Sequence, residues 1–552
     1  MSRARGHDPN SPCTTNANSV SCPRTSGSLR GVEESIASAL EGLGRPLAAL
    51  QALKGERRVF LVGGTVRDII MGRAPTDYDF AVSGSGIEFA RMLARRLRAS
   101  FVLLSEPDDQ ARVVYPGTRD SPGQRGQSRV FGARIPGQSP RKAGTVPVTL
   151  DFNGFGEQTI LDDLKRRDFT INAIACEVEG PVQTQRPQRT RRAGRKQSAS
   201  SGLRIADSGL LDPFDGRKAI AEQRIVPVSA QSLASDPLRL LRAIRFALEL
   251  GFQVDSEVWQ QARGVSLAGV AAERIGYELL RIMNCDRSLP HLERLSKLGF
   301  LHQLFPEAKP LLDYPELMKH SLGTYRKLEE LTHRTSFFSQ FEPEFQACVG
   351  LGPHFPALLK LAGLFHDIGK PETEFLNEKA EVHFYGHDAL GAKYIQTIAG
   401  ERLRLSRDDA RVLKVLVDYH MRLHLLATGP ELTDRAIRRY FRDLGDLWFG
   451  LMMVTFADGY ATAGHTRHLE TMFERMIALK REYDSKVKVK RLVTGDDLIA
   501  LGLKPGPAFK TMLAELEELQ VEGKIVSKEQ GLEYVQTNLE RLTAECPRTA
   551  ER

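Results

Sequence analysis

Long hydrophobic runs are missing from this 552-residue chain: nowhere do ~20 apolar residues follow one another, the length a membrane-spanning helix needs. The opening residues, MSRARGHDPNSPCTTNANSVSCPRTSGSLRG, lack the apolar core of a secretory signal. Cysteine is scarce. Its six positions, 13, 22, 176, 285, 348 and 546, include no Cys-x-x-Cys spacing, which excludes a disulfide frame and a cysteine-based zinc site. These absences predict a soluble protein with reduced thiols, cytoplasmic and without a membrane partner. Hydrophobic residues at 41% are ample for cores, and charged residues at 26% are ordinary. The length suggests roughly three or four domains.

The net charge of +8 is unevenly placed. Gly117–Pro147 carries six Arg/Lys against one Asp, and Pro181–Ser200 carries six against none, so the rest of the chain sums to −3. Both stretches are rich in Gly, Pro, Gln and Ser and are expected to be disordered. They are either solvated insertions or a source of salt-sensitive, non-specific attraction for RNA phosphates.

The chain is organised around residues 59–82, VFLVGGTVRDIIMGRAPTDYDFAV. Val59–Val62 reads as a buried strand ending at Gly63-Gly64. Thr65 is expected to cap the following helix, whose inner face carries Val66, Ile69 and Ile70. Paired glycines at a strand-to-helix turn let backbone N–H groups approach an anion, and the helix N-terminus adds its dipole. After Gly72 and Pro75 comes a second strand, Asp77–Val82, on which Asp77 and Asp79 point to one side. Two carboxylates facing a phosphate cradle make a Mg²⁺ site, where paired metals activate a hydroxyl and stabilise leaving pyrophosphate. Alone, either motif usually marks a turn; in this order they point to nucleotidyl transfer.

Here the sequence resembles the class II tRNA nucleotidyltransferases and bacterial poly(A) polymerases of the DNA polymerase β superfamily. Their Gly-Gly-x-Val-Arg-Asp signature, followed by Asp-x-Asp, is matched at Gly63, Gly64, Val66, Arg67, Asp68, Asp77 and Asp79. The resemblance implies an α+β nucleotidyltransferase head with a polymerase β-like palm, followed by an all-α neck and body.

Around the signature, Val32–Leu53 reads as one leading helix and Ile87–Arg98 as a basic-faced helix, with strands at Phe101–Leu104, Arg112–Tyr115 and Val146–Phe152. Alternation puts Asp151 on one strand face, as the third carboxylate of a palm or as a strand-end cap. A second family signature lies in ILDDLKRRDFTINAIACEV at 160–178, matched at Arg166, Arg167, Asp168 and Asn172. Read as helix, Asp168 and Asn172 are one turn apart and form a polar cluster with Arg167. Asn and Asp can bond ribose hydroxyls, and an Arg can hold the triphosphate. Asp212-Pro-Phe-Asp-Gly216 is similar to a family turn that opens a helix. Asp236 near a helix cap and Arg239 at i+3 share a face, and the resemblance implies that they read the incoming base. The chain departs from the family at Ser235, where Glu is usual, which bears on base selection more than on catalysis.

The C-terminal half carries another constellation: His320, then His366-Asp367 in LAGLFHDIGK, then Asp458 in TFADGYATAG. That order resembles the HD superfamily of metal-dependent phosphohydrolases, and implies an all-α HD domain. His387 and His420 stand where HD domains of this family often have histidine. The apolar helix before His366 is expected to expose the two adjacent ligands. Imidazole and carboxylate together suit Mn, Ni, Co, Fe or Mg, and a bound water could attack a phosphate ester. Residues 493–539 read as a short helix, a Gly-Leu-Lys-Pro-Gly-Pro turn and a longer amphipathic helix, similar to a family tail that grips RNA or simply packs.

The expected organisation is thus a disordered 1–30, a head over 31–200, a nucleobase- and RNA-binding neck and body over 201–310, an HD domain over 311–485 and a helical tail over 486–552. The resemblance implies an RNA 3′-terminal nucleotidyltransferase that adds CCA to tRNA from CTP and ATP. Closely similar signatures serve poly(A) polymerases and A-adding or CC-adding enzymes. A different class of reading makes the HD domain the seat of function beside a degenerate head, and a third makes the chain a non-enzymatic RNA-binding protein. Intact Asp77 and Asp79 weigh against the second, and retention of two sets of metal ligands against the third.

Overall fold

The computed structural model describes residues 29–75, 77–116, 147–179, 209–333, 336–429, 432–486, 491–503, 505–521 and 523–539. The predicted disorder of the N-terminal residues up to 28, of 117–146 and of 181–200 lies outside the described residues. The chain divides into two compact units, Met1–Pro306 with Glu401–Arg404, and Glu307–Gly400 with Leu405–Arg552.

The first unit is built on a seven-stranded sheet: β1 Val59–Val62, β2 Asp77–Val82, β3 Ser100–Ser105, β4 Gln110–Tyr115, β5 Val148–Gly154, β6 Ala175–Glu177 and β7 Leu210–Leu211. The order is β3-β4-β5-β2-β1-β6-β7. Only the β2–β5 pairing is parallel, and it sets Asp79 opposite Asp151. All four residues of β1 are fully buried, as expected for a central strand. The helix Gly86–Leu97 covers one sheet face. Ser85 caps it by accepting from the Glu88 N–H, and Phe89, Ala90, Leu93, Ala94 and Leu97 are buried along one stripe. Phe152 of β5 stacks on Phe80 at 5.3 Å and meets Phe89 at 5.5 Å, tying sheet to helix. Each such buried ring contributes roughly 1.5–3 kcal/mol.

The single leading helix expected over Val32–Leu53 is instead two, Leu29–Glu41 and Arg45–Lys54. Gly42-Leu43-Gly44 breaks it: Gly44 has φ +58°, and Pro46 in the first turn of the second helix needs no N–H partner. Beyond the sheet the unit is helical apart from a short parallel pair, Arg224–Ile225 with Gln253–Val254, and Arg239–Leu250 packs on Ala272–Asn284.

The second unit is helical apart from one small hairpin. Helices Pro315–His333, Phe355–Phe365, Arg407–Asp418 and Trp448–Ala463 form its centre. Gly363 permits close helix approach there, since a Cβ on it would stand 2.4 Å from Leu328 Cδ1. A buried Lys360–Glu329 ion pair at 3.0 Å fixes the same two helices. The tail helices Gly495–Ala500, Pro507–Val521 and Lys528–Thr537 enclose a small core of their own around Leu498, Met512 and Val535. No helix among the described residues is long and apolar enough to cross a membrane.

Candidate active site and metal centre

β1 runs directly into the helix Gly63–Ile70. Gly63 has φ +69°, and a Cβ there would lie 2.6 Å from Arg167 Nη1 and 3.6 Å from Asp79 Oδ2. At Gly64 a Cβ would lie 3.4 Å from Arg67 Nη2 and 3.7 Å from Asp79 Oδ2. The missing side chains therefore keep open a space bounded by two guanidinium groups and a carboxylate. Thr65 is not the helix cap that the sequence suggests, because the helix starts two residues earlier and Val62 is its cap. Its hydroxyl instead donates to Asp77 O at 3.1 Å and accepts from Asp79 N at 2.8 Å, pinning the Asp-x-Asp strand to the helix.

Asp79 is the electrostatic centre of this space. Burial pushes its carboxyl up, Arg167 pulls it down, Asp151 and Asp77 push it up again, and the result stands at about 6. Three carboxylates that repel one another beside a cradle of cations fit a hard divalent ion. Asp151 reaches the same face but is already gripped by Arg112, with contacts of 2.7 and 2.8 Å.

The segment after β5 does not form the helical turn expected at Asp168–Asn172. The helix Ile160–Arg166 ends before it, Arg167 and Phe169 are extended, and Thr170–Asn172 is a 3₁₀ turn. The polar cluster forms nonetheless. Asp168 Oδ1 accepts from Asn172 Nδ2 at 3.1 Å and from Phe169 N at 2.8 Å, and Oδ2 accepts from Arg242 at 2.6 and 2.9 Å. Asn172 Oδ1 accepts from Arg67 at 2.8 Å, while Arg167 pairs with Asp163 at 3.0 Å. Burial raises the Asp168 carboxyl, but Arg242 and these hydrogen bonds outweigh it and hold it below the ordinary value.

Asp236 and Arg239 share the cleft without pairing with each other. Asp236 accepts from Leu238 N at 3.2 Å, just ahead of the helix, and meets Arg274 at 2.7 Å. Arg239 donates to Arg166 O at 2.6 Å, Arg167 O at 3.3 Å and Ser232 Oγ at 3.0 Å. The cleft has a volume of about 490 Å³ and gathers Gly64, Arg67, Asp79, Arg167, Asp168, Asn172, Asp236 and Arg239. Arg166, Arg242 and Arg274 also line it. Six guanidinium groups against the carboxylates of Asp79, Asp163, Asp168 and Asp236 leave the cleft with an excess of positive charge, which suits a polyphosphate.

The second unit assembles the other constellation. His320 stands on Pro315–His333, His366 and Asp367 follow Phe355–Phe365, His387 opens His387–Thr397, His420 precedes Met421–Thr428, and Asp458 lies within Trp448–Ala463. His366 and Asp367 are buried, not exposed as the sequence suggests, because the apolar helix before them is sealed on all sides. One set joins His320 Nε2 to His366 Nε2 at 3.1 Å and to Asp458 Oδ1 at 3.1 Å, with Asp367 Oδ2 3.2 Å from His366. Another joins His387 Nε2 to His420 Nε2 at 3.1 Å, with Asp367 Oδ1 at 3.4 and 3.7 Å from them. Donors bonded at about 2.1 Å to one ion stand about 3.0–3.4 Å apart in octahedral or tetrahedral geometry.

The tautomers agree with that use. Nδ1 of His366, His387 and His420 each faces a backbone carbonyl, of Gly363 at 3.0 Å, Phe384 at 2.7 Å and Val417 at 2.7 Å. An N–H donated there leaves each Nε2 lone pair aimed inward, so facing imidazoles call for a shared cation. Without a cation, Asp367 and Asp458 outweigh burial and favour a proton on His366, a positive charge that a bound metal would replace. Asp367 Oδ2 is buried without a hydrogen bond, although Lys370 Nζ lies 2.7 Å away as an ion pair. The donor set fits divalent metal, and Asp367 is common to both groups of donors.

Comparison with known families places three models along the chain: the poly(A) polymerase head domain over 59–186, the probable RNA and SrmB binding site of polymerase A over 251–312, and the HD domain over 317–444. The chain carries a class II tRNA nucleotidyltransferase and poly(A) polymerase head, an RNA-binding domain and an HD domain. It is 27% identical to a CC-adding tRNA nucleotidyltransferase of Synechocystis, over 86% of this chain and 92% of the other. It is 27% identical to an A-adding tRNA nucleotidyltransferase of Deinococcus radiodurans, over 86% and 94%. The fold matches the CCA-adding enzyme of Thermotoga maritima complexed with tRNA, with TM-score 0.53 at 19% identity over 91% of this chain and 98% of that one. Within this family frame the sequence reading missed Arg112, Asp163, Arg242 and Arg274 in the first unit, whose partners are too distant in sequence or too commonplace to stand out. It also missed His424, whose Nε2 lies 2.8 Å from Asp458 Oδ2; its position four residues after His420 was the available signal.

Proposed function

We propose that this nucleotidyltransferase adds CCA to tRNA 3′ ends, taking CTP and ATP in turn. The observation that supports this most directly is the single cleft in which the glycine turn, Asp79, the arginines and the Asp236 and Arg239 side chains converge. Mg²⁺ held by Asp77 and Asp79, with Asp151 beside them, would supply activation of the RNA 3′-hydroxyl and neutralise the leaving pyrophosphate. Gly63 and Gly64 leave room for the triphosphate, and Arg67 and Arg167 bind it. Asn172 and Asp168 orient the sugar, and Asp236 and Arg239 offer acceptors and donors to the base. Their backbone and Arg274 bonds hold both groups in place, which a fixed protein template requires.

Relatives named CC-adding and A-adding match the chain nearly end to end, so addition of only CC or only A is the second reading. Purified protein supplied with tRNA ending at the discriminator base, in C or in CC, plus single NTPs, separates these. Ordered C, C, A addition that then stops is expected. Only CC, only A on the CC end, or long A tails would move the assignment within the family.

We assign to the His/Asp centre a metal-dependent phosphohydrolase role. The two donor groups sharing Asp367 suit a pair of divalent ions, which would supply an activated water for attack on a phosphate ester. His320, His366 and Asp458 would hold one ion and His387 and His420 the other, while Lys370, paired with Asp367 at 2.7 Å, adds positive charge beside the centre.

A further inference from the structure

Nucleotidyl transfer brings two ligands together, and the cleft accounts for one of them. Its glycine turn, with Arg67 and Arg167 beside it, stands on the β1 side of Asp79. In the reaction the RNA 3′-oxygen bonds the α-phosphorus, releasing its proton, as the bond to pyrophosphate breaks on the opposite side. With pyrophosphate held at the glycine turn, the RNA end must arrive across β5.

That part of the sheet carries a row of side chains. Register sets Asp79 of β2 beside Asp151 of β5, Asp151 beside Arg112 of β4, and Arg112 beside Val102 of the edge strand β3. Residues in register share a sheet face, so all four lie on the face of the carboxylates. The next residues along, Phe80, Phe152 and Ala111, are fully buried on the other face. The cleft lining reaches this side too, through the paired Asn153 and Gln110.

Arg112 is the cation of the row. Asp151 fixes its plane, accepting from Nε at 2.7 Å and Nη2 at 2.8 Å. A guanidinium has five N–H donors, so three remain, and they meet no acceptor among the described residues. The side chain is 39% exposed, against 10% for Arg67 and 17% for Arg167. It is a held but accessible cation two strands, about 10 Å, from Asp79. Val102, 42% exposed, adds apolar surface beyond it.

We propose that Arg112 binds the RNA strand, taking the phosphate that joins its last two nucleotides while the terminal sugar lies along the row towards Asp79. The inference rests on the glycine turn holding the triphosphate. It gives Asp151 a second task, that of orienting Arg112. A phosphodiester offers two oxygens, which paired N–H groups of a fixed guanidinium meet together. Such a contact positions the strand without reading a base. An RNA end that changes as it grows needs a contact of that kind.

The test is kinetic and uses the full chain with a tRNA whose end it extends. Arg112→Ala should raise KM for the tRNA about tenfold and leave KM for the NTP within about twofold. Arg112→Lys, which keeps the charge but not the fork, should recover part of the loss. The salt slope of kcat/KM for tRNA should become shallower by about 0.7 in Arg112→Ala, the share of one single-strand phosphate. A tRNA with an uncharged methylphosphonate at its last internucleotide linkage isolates the contact. That replacement should cost the parent about tenfold in tRNA KM and Arg112→Ala less than about twofold. Equal losses in the two proteins, or a parent indifferent to the methylphosphonate, would overturn the contact. So would NTP and tRNA KM rising together in Arg112→Ala, the result of a merely structural arginine. Arg67→Ala checks the triphosphate side: NTP KM should rise, and no rise would remove the triphosphate from the glycine turn whatever Arg112 does.

Discussion

Asp79 carries a cost in the free protein that only a bound cation removes. An acid whose folded pKa of about 6 exceeds the unfolded value of about 3.9 is ionised against the fold at neutral pH. Asp79→Asn keeps the shape and removes that charge. In EDTA the variant is therefore expected to melt at the same or a higher temperature than the parent. Nucleotide addition should fall on the order of a thousandfold or more, because several kcal/mol of metal-borne charge stabilisation is lost. Calorimetry beside a primer-extension assay reads both; a clear loss of stability would mean that Asp79 is structural. The residue was legible in the sequence because Asp-x-Asp on a short strand after Gly-Gly is a local pattern. The hydroxyl that positions it was legible too, but with the wrong job: Thr65 looks like a cap, and only the strand brought alongside turns it into a brace between Asp77 O and Asp79 N.

Among the elements, the chain from Arg67 through Asn172 and Asp168 to Arg242 links three pieces that are far apart in sequence: the glycine-turn helix, the 3₁₀ turn and the helix Arg239–Leu250. Asp168 is its only anion, and Glu278 joins the far end of it, 3.7 Å from Arg242. Asp168→Asn should destabilise the first unit by about 3 kcal/mol near pH 7, the low end for breaking a buried pair, since Arg242 keeps partial access to water. The sign of the pH dependence follows from the lowered folded pKa. The carboxylate's contribution is fully present above the unfolded value of about 3.9 and is lost as pH falls through the folded one. The gap in melting temperature between parent and variant should therefore narrow below about pH 4; a constant gap would contradict the ion-pair account. Sequence periodicity mistook this stretch for helix because Asp168 and Asn172 are four apart and follow a true helix. Phe169, buried against Phe246 at 6.0 Å, holds it extended instead. The split of the leading helix was more readable, since Gly-Leu-Gly-Arg-Pro is a stop followed by a start.

For the whole molecule, the sheet-bearing unit and the helical unit each close around their own donors, so the two chemistries should separate by mutation. The order of motifs carried most of this plan in the sequence, because each signature is short, local and flanked by apolar runs that mark its element. What the sequence left open was how six donors on five elements would be shared. Asp367 answers that: Oδ2 faces His320 and His366, and Oδ1 faces His387 and His420. Removing a terminal ligand such as His420 weakens one metal position, whereas removing the shared carboxylate weakens both. Asp367→Ala should thus lose essentially all metal at this centre, while His420→Ala should retain about one ion per chain of an original two. Both would be made in an Asp77→Asn/Asp79→Asn background, so that metal analysis after dialysis against Mn²⁺ counts this centre alone. Phosphatase activity should vanish in Asp367→Ala, and the same substitution in the native head should leave nucleotide addition within about twofold, since no ligand of the cleft is touched. One ion per chain before mutation would contradict the paired arrangement, and equal loss from the two variants would deny Asp367 its bridging place.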